Sequence, residues 1–530
     1  MLRNIFGDSL DSDIETIRML RRLGQPIAIP SIAPILCHAD ANMRREADEA
    51  IARLLTFVRP QDVLRIDQRI RPTCREFQSV FREACARELT LRLLKNEFTR
   101  ARLAMASMHA DGRVRLAAVE QLADYPNVTK SLPFLLVRCN DWVGSVREAA
   151  VRAVTRLIDA PNVSDFIDNL YLIDRLQACG RADHSRLIAL MYRLVKAPHA
   201  ASQLLGALQH DDCYVRRASF RMLVECDHIE PEAICEAAGA SCDPIVRMRS
   251  LRLAIDRLDG APLHDFLSRA LADANMPNRR IALQAMVANF PQSACSHVSD
   301  ALFDHHPSMR LLARFEMGRR DPDFDCRAAY LAGLSATKTK TLASAIAGVG
   351  ECGVASDSAS IVGFLDHPRF TVRSETLRAL FALEPERYRS LVLNNLTDPS
   401  ILVVRTAEKL IGKKPREADF ARLTEILAST NVATSIVSVL RLVGRFRNWT
   451  AAAFLMSYCR NETQWVADAA SDIFWNSWRR RMTYVPYGTA VELNRAEAVL
   501  RQLVGLRPDC DLEAVRADIR FARSQLSPDG

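Results

Sequence analysis

Three groups of residues in this sequence have types and spacings that suit chemistry. Cys226, Cys235 and Cys242 fall within one short stretch, and three thiolates could in principle hold zinc. Their separations fit core-facing positions on helices better. His305 and His306 follow Asp304, but a metal at that turn needs further ligands close by. The second group is basic: Arg152, Arg217, Arg221, Arg252 and Arg257 share one region, and guanidinium forks suit carboxylates or phosphates. The third is aromatic: Trp465, Phe474, Trp475 and Trp478 crowd one stretch ahead of Arg479, Arg480 and Arg481. Trp and Arg are typical anchors of protein interfaces.

None of these groups completes a known catalytic pattern. The sequence has no GxGxxG, no Walker loop, no GxSxG and no HExxH. A catalytic Cys would need a His partner in space, and the carboxylates form no distinctive pair. The reading is therefore of a non-enzyme, with no cofactor and no metal.

Such residues need elements to position them. The chain has 530 residues, which exceeds one ordinary core. It is 49% hydrophobic and 25% charged, as soluble folded proteins are. Leu, Ala and Arg abound and favour helix. A net charge of +8 tolerates an anionic partner without demanding one. The 14 Cys include no CxxC pair, and no apolar leader precedes them, so reduced thiols in a cytoplasm are expected. No stretch is apolar enough to span a membrane.

One pattern recurs along the chain: an acid, often a Pro, then Val-Arg, then apolar residues at helical spacing. It reads Asp366-His-Pro-Arg-Phe-Thr-Val-Arg373, then Asp398-Pro-Ser-Ile-Leu-Val-Val-Arg405. Earlier copies pair Asp111 with Arg115, Asp141 with Arg147, Asp212 with Arg216 and Asp243 with Arg247. Looser copies place Arg280 after Asp273 and Arg310 after Asp304. Arg115 and Arg147 lie 32 residues apart, as do Arg373 and Arg405. Two larger gaps, of 71 residues before Arg115 and 69 after Arg147, read as hidden degenerate copies. The segments 65–95 and 157–200 fill them.

Each copy reads as a helix hairpin. The acid caps the second helix, and Pro starts it while ending the helix before. One hairpin cannot bury its apolar side alone, but stacked neighbours can. The expected fold is all-α: a right-handed α-solenoid, or superhelix, of about fifteen stacked helix hairpins. Residues 1–30 are expected as an N-terminal capping helix, 31–475 as the array, and 476–530 as a divergent helical cap. Stretches 318–325 and 350–360 read as surface loops, the second a loose connection of small residues.

The Asp-Pro-x-x-x-Val-Arg marker resembles HEAT repeats, especially the short bacterial type found in phycobilisome lyases. Ala347-Gly-Val-Gly350, Ile361-Val-Gly-Phe-Leu365 and the run from Asp366 to Leu380 carry the likeness. The resemblance implies ladders of Asp and Arg between adjacent repeats. It assigns Asp111, Arg115, Arg147, Asp212, Arg216, Arg247, Asp366, Arg373, Asp398 and Arg405 to them. It does not fix function.

In such an array the second helices line the concave face. Residues five after the marker Arg share its side of the helix: Glu49, Glu120, Arg152, Arg221, Arg252, Ala285, Phe315, Arg378 and Leu410. The expected activity is a scaffold or adaptor that binds another protein on this face. Arg152, Arg217, Arg221, Arg252 and Arg257 are its candidate contacts, with Trp475, Trp478 and Arg479 at the far end. The plainer use of the arginines is pairing with Glu148, Glu225 and Asp256. The plainer use of the tryptophans is closing the last repeat. One alternative is a nucleic-acid-binding groove across 140–260. Another is an enzyme of the bilin-lyase or DNA-glycosylase type, for which Trp142 and Tyr214 are the nearest aromatics.

Overall fold

The computed structural model describes residues 10–37, 40–76, 99–125, 128–475, 487–503 and 512–526. All regular structure among them is helical. The chain divides into two compact units, Met1–Phe290 and Pro291–Gly530. Each is a stack of packed helices.

In the first unit the second helices of successive pairs include α1 (Gly112–Asp124), α2 (Gly144–Leu157), α3 (Cys213–Val224), α4 (Pro244–Arg257) and α5 (Met276–Asn289). Helices α1 and α2 pack together, as do α3 with α4 and α4 with α5. In the second unit they include α6 (Pro307–Arg320), α7 (Thr339–Cys352), α8 (Phe370–Leu383), α9 (Ile401–Gly412), α10 (Ala433–Val443) and α11 (Gln464–Asp472). From α7 to α11 each packs on the next.

One turn chemistry starts most of these helices. The side chain two residues before the N-cap accepts the N-cap N–H, so the chain enters the helix already bent. His109, Asp141, His210, Asp273, Asp304, His367 and Asp398 do this at 2.7–3.0 Å. Burial holds His109 below the usual histidine range, which suits a ring nitrogen that must stay unprotonated to accept. Where Asp111, Asp212 or Asp243 is itself the N-cap, it accepts a second N–H, from Arg113, Tyr214 or Ile245.

The marker arginine sits four residues into the helix and reaches back over the same turn. Arg115, Arg147, Arg247, Arg279, Arg310 and Arg373 each donate from Nη1 to the carbonyl six residues earlier, at 2.8–2.9 Å. The other edge of the guanidinium crosses to the next turn. Arg115 grips Asp141 at 2.9 and 2.8 Å, Arg247 grips Asp273 at 2.7 and 2.9 Å, and Arg373 grips Asp398 at 2.9 and 2.8 Å. At these three copies the ladder runs from the Arg to the following repeat's acid.

The structure corrects the register at two copies. The ladder residue after Asp273 is Arg279, which is buried, while Arg280 is exposed. The residue four into α9 is Val404, not Arg405. Asp366 is exposed as well, because His367 takes the turn position.

Of the segment 65–95, residues 65–76 are described, and they lie in one helix. Helix Pro60–Glu76 packs on helices Leu132–Arg138 and Leu170–Gln177, far along the chain. It buries Val63, Ile66 and Ile70, one helical face. Asp67 reaches Arg138 at 2.6 Å, and Gln61 donates to Asp212 at 2.8 Å. Arg138 also holds Asp141, so Asp67, Arg138, Asp141 and Arg115 form one buried chain of alternating charge. The segment 157–200 holds helices Val163–Asp168, Leu170–Gln177 and Ser185–Val195.

In the second unit, Gly348 and Gly350 let α7 lie close to its neighbours. A Cβ on Gly348 would sit 2.3 Å from the Tyr330 ring, and one on Gly350 2.6 Å from the Ala379 backbone. The stretch after Gly350 is not loose. Asp357 is buried, accepts the Val354 N–H at 2.8 Å and holds Arg327 at 2.7 Å. At the far end, helices Ala490–Leu503 and Leu512–Ser524 share a core with helix Trp449–Tyr458.

Candidate partner-binding surfaces

The side chains that look outward from the second helices sit at the ninth helical position, five beyond the marker. In the first unit this row reads Glu120 on α1, Arg152 on α2, Arg221 on α3, Arg252 on α4 and Gln284 on α5. Ala285 is buried and Leu410 packs on the core, so the register correction replaces them with Gln284 and Lys409.

The structure separates the candidate arginines into two kinds. Arg217 is a ladder residue: its Nε donates to Asp243 at 2.8 Å, while Arg216 Nη2 stands 3.9 Å from the same carboxylate. Arg216 instead donates to the Asp211 carbonyl at 3.0 Å. Arg221 donates to Asp174 at 2.5 Å, and Asp174 also accepts from the Tyr192 hydroxyl at 2.6 Å. Burial first, and that hydrogen bond second, push the Tyr192 phenol up. Arg152, Arg252 and Arg257 are exposed, with no ion-pair partner among the described residues. The basic groove across 140–260 therefore keeps three of its five arginines.

The remaining chemical candidates have structural uses. Cys235 is buried and donates to the Ser250 carbonyl, Cys226 donates to the Met222 carbonyl, and Cys242 is exposed. Burial pushes the Cys235 thiol up to about 11. His306 caps α6 by accepting the Ser308 N–H at 3.2 Å. Among the described residues, no three His, Cys, Asp or Glu side chains converge as ligands would. Trp142 lies over the Arg115 guanidinium at 5.5 Å, and Tyr214 tilts on Tyr171 at 5.0 Å.

Trp475 packs on the core edge-to-face with the buried Phe474, at 5.1 Å. Trp478 and Arg479 lie outside the described residues.

A surface that the sequence reading missed lies on the second unit. Phe370, Leu402, Val432 and Trp465 are 41%, 47%, 48% and 42% exposed. Ile401 is exposed beside Leu402. All five stand at the cap or in the first turn of α8, α9, α10 and α11. Since each of these helices packs on the next, the five residues stand at successive helix starts along the stack. Spacing carries the signal: from Phe370 they recur about every thirty-two residues, just ahead of the helix faces that the marker draws attention to.

Below that row, on the same outward face, lie Arg405, Lys409 and Arg441. All three are exposed, with no ion-pair partner among the described residues. Lys409 and Arg441 occupy the ninth position, as does Arg378, which pairs with Glu375. Burial raises the Glu375 carboxyl, against the pull of Arg378 and Arg310. Asp472 ends the row on α11.

No family model matches the sequence, and no curated protein matches it. Among solved structures, the chain is similar to a crystal structure of a Kap121p mutant, at 12% identity and a TM-score of 0.32. That match covers 98% of this chain and 63% of that one, so this chain spans less than two thirds of its length. It is also similar to a structure titled for tubulin recruitment and assembly by microtubule polymerases with tumor overexpressed gene (TOG) domain arrays. There the identity is 9% and the TM-score 0.23, over 90% of this chain and 100% of that one. No described helix is long and apolar enough to cross a membrane.

Proposed function

We propose that this chain is a non-enzymatic helical-repeat scaffold that binds another protein along the outward faces of its second helices, in the cytoplasm. The observation that carries the reading is the first-turn row on α8 to α11. Scattered single exposed apolar residues need no explanation, but a contiguous set marks an interaction site. Trp465 and Phe370 are the residue types that anchor such sites. Nucleic acid has less need of this row. Its own candidates, Arg152, Arg252 and Arg257, are thinned by the pairing of Arg217 and Arg221 with acids. The marker shared with phycobilisome-lyase repeats is explained by turn chemistry, and we take no lyase activity from it.

The test is affinity capture from cell extract with and without nuclease, using wild type and a variant carrying F370S, L402S, V432S and W465S. A protein captured after nuclease and lost with the variant supports the scaffold. A partner lost with nuclease and indifferent to the variant overturns it in favour of nucleic acid.

A further inference from the structure

The second unit's outward face carries two parallel rows of different chemistry. Phe370, Ile401, Leu402, Val432 and Trp465 form the apolar one, in the first turn of four packed helices. Arg405, Lys409 and Arg441 form the basic one, between the fifth and ninth positions of α9 and α10. At 1.5 Å per residue the basic side chains leave the helices roughly 6–12 Å from the apolar row. Packed helices lie about 8–10 Å apart, so four of them make a track roughly 25–30 Å long.

Some of the cations near this track are spent internally. Arg378 has Glu375, and Arg373 has Asp398. Arg445 donates to the Gly412 carbonyl at 2.7 Å. Arg405, Lys409 and Arg441 have no such acid among the described residues. Three free cations on two adjacent helices repel one another mildly when empty, and an anionic ligand relieves that. The neighbouring apolar row has no use for a phosphate backbone alone.

We propose that this track takes an acidic segment of a partner protein that also carries Leu- or Phe-type side chains. Its apolar residues cover the first-turn row, and its carboxylates meet Arg405, Lys409 and Arg441. The proposal rests on the protein-binding reading above and commits it to one partner chemistry.

The test uses full-length chain and three labelled probes. One is a peptide of about twenty residues, enough to cross the track as a helix, rich in Asp and Glu with Leu or Phe every third or fourth position. The second has Lys in place of every acid. The third is a single-stranded oligodeoxynucleotide of similar length. The acidic peptide should bind best and weaken steeply with salt. The variant R405E/K409E/R441E should lose at least about tenfold of that binding, with its helical circular dichroism unchanged because the three residues are exposed. Equal binding of the acidic and basic peptides, or no effect of the charge reversals, overturns the acidic commitment. Tighter binding of the oligonucleotide overturns it also. In those cases the apolar-row variant decides the parent reading. If it still abolishes capture of a protein partner, the scaffold stands with a different ligand; if capture is unchanged, both fall.

Discussion

The first unit joins its repeats through second helices, whereas the second unit moves much of that joint to first helices. In the first unit Arg115 and Arg247 bridge to Asp141 and Asp273 at the turn before the next second helix. In the second unit the same geometry appears on the other layer. Arg327 on helix Cys326–Ala332 reaches Asp357, and Arg389 on helix Pro385–Asn394 reaches Asp419. Each of those acids also accepts a backbone N–H three residues before it, from Val354 and Arg416. Meanwhile the fourth helical positions of α9, α10 and α11 hold Val404, Ile436 and Ala467, all apolar. The lesson is that the ion ladder is one solution to tying repeats together, and burying an aliphatic side chain is another.

The largest expected effect tests the equivalence of the two layers. Arg115 and Asp141 are fully buried, and removing Arg115 leaves the buried Asp141 carboxylate with Arg138 as its remaining cation. R115A should cost about 3–5 kcal/mol by urea unfolding. R389A, on the second unit's first-helix ladder, should cost a similar amount. If R389A is silent while R115A is severe, the two ladders are not equivalent.

Next comes the close approach of α7 to α8 in the second unit. G350A places a methyl 2.6 Å from the Ala379 backbone, and backbone cannot swing aside as a side chain can. Overpacking of this kind should cost about 2–3 kcal/mol, with the loss read in the second unit's unfolding. A fully stable G350A would mean that α7 and α8 can slide apart.

The first unit's ladder carries a pH dependence of its own. Burial pushes the Asp273 carboxyl up, but hydrogen bonds from Arg247, Asn278 and the Asn275 N–H outweigh it, and the value falls to about 2. A depressed carboxylate contributes stability above its unfolded value of roughly 3.9, and that contribution is lost as pH falls toward 2. The expected loss is about 2 kcal/mol across that window. D273N should be less stable at neutral pH and should lose less on acidification than wild type. Parallel acid curves for the two proteins would contradict the assignment.

Much of the fold was legible in the sequence, because Asp, Pro and Val-Arg report turn chemistry that barely varies. The helical character of 476–530 was legible too, and helices Ala490–Leu503 and Leu512–Ser524 fall within it. Two things were hidden for physical reasons. Helix Pro60–Glu76 has ordinary helical periodicity, and nothing local says that Asp67 meets Arg138 or that Gln61 meets Asp212. The apolar row was hidden because Phe370, Leu402 and Val432 stand ahead of the marker positions, where a single exposed apolar residue looks like noise, and Trp465 reads as part of the aromatic cluster that ends at Trp478. Only the packing of α8 through α11 turns four isolated residues into a surface.

The smallest expected effect bears most directly on the comparison. Asp366 to Arg373 and Asp398 to Arg405 have the same spacing, and both strings begin with Asp and end in Val-Arg. The chain uses them in different registers. In the first copy His367 accepts the N-cap N–H, so Arg373 falls at the fourth helical position and becomes a ladder residue. In the second copy Asp398 itself accepts that N–H, from Ser400 at 2.7 Å. The helix then begins one residue sooner relative to the marker, and Arg405 overshoots to the fifth position, on the surface. R373A should therefore cost about 1–3 kcal/mol, as the loss of a partly buried charged hydrogen bond does. R405A should lie within about 0.5 kcal/mol of wild type. If R405A destabilises as much as R373A, the registers are the same after all, and Arg405 is part of the ladder rather than of the exposed basic row.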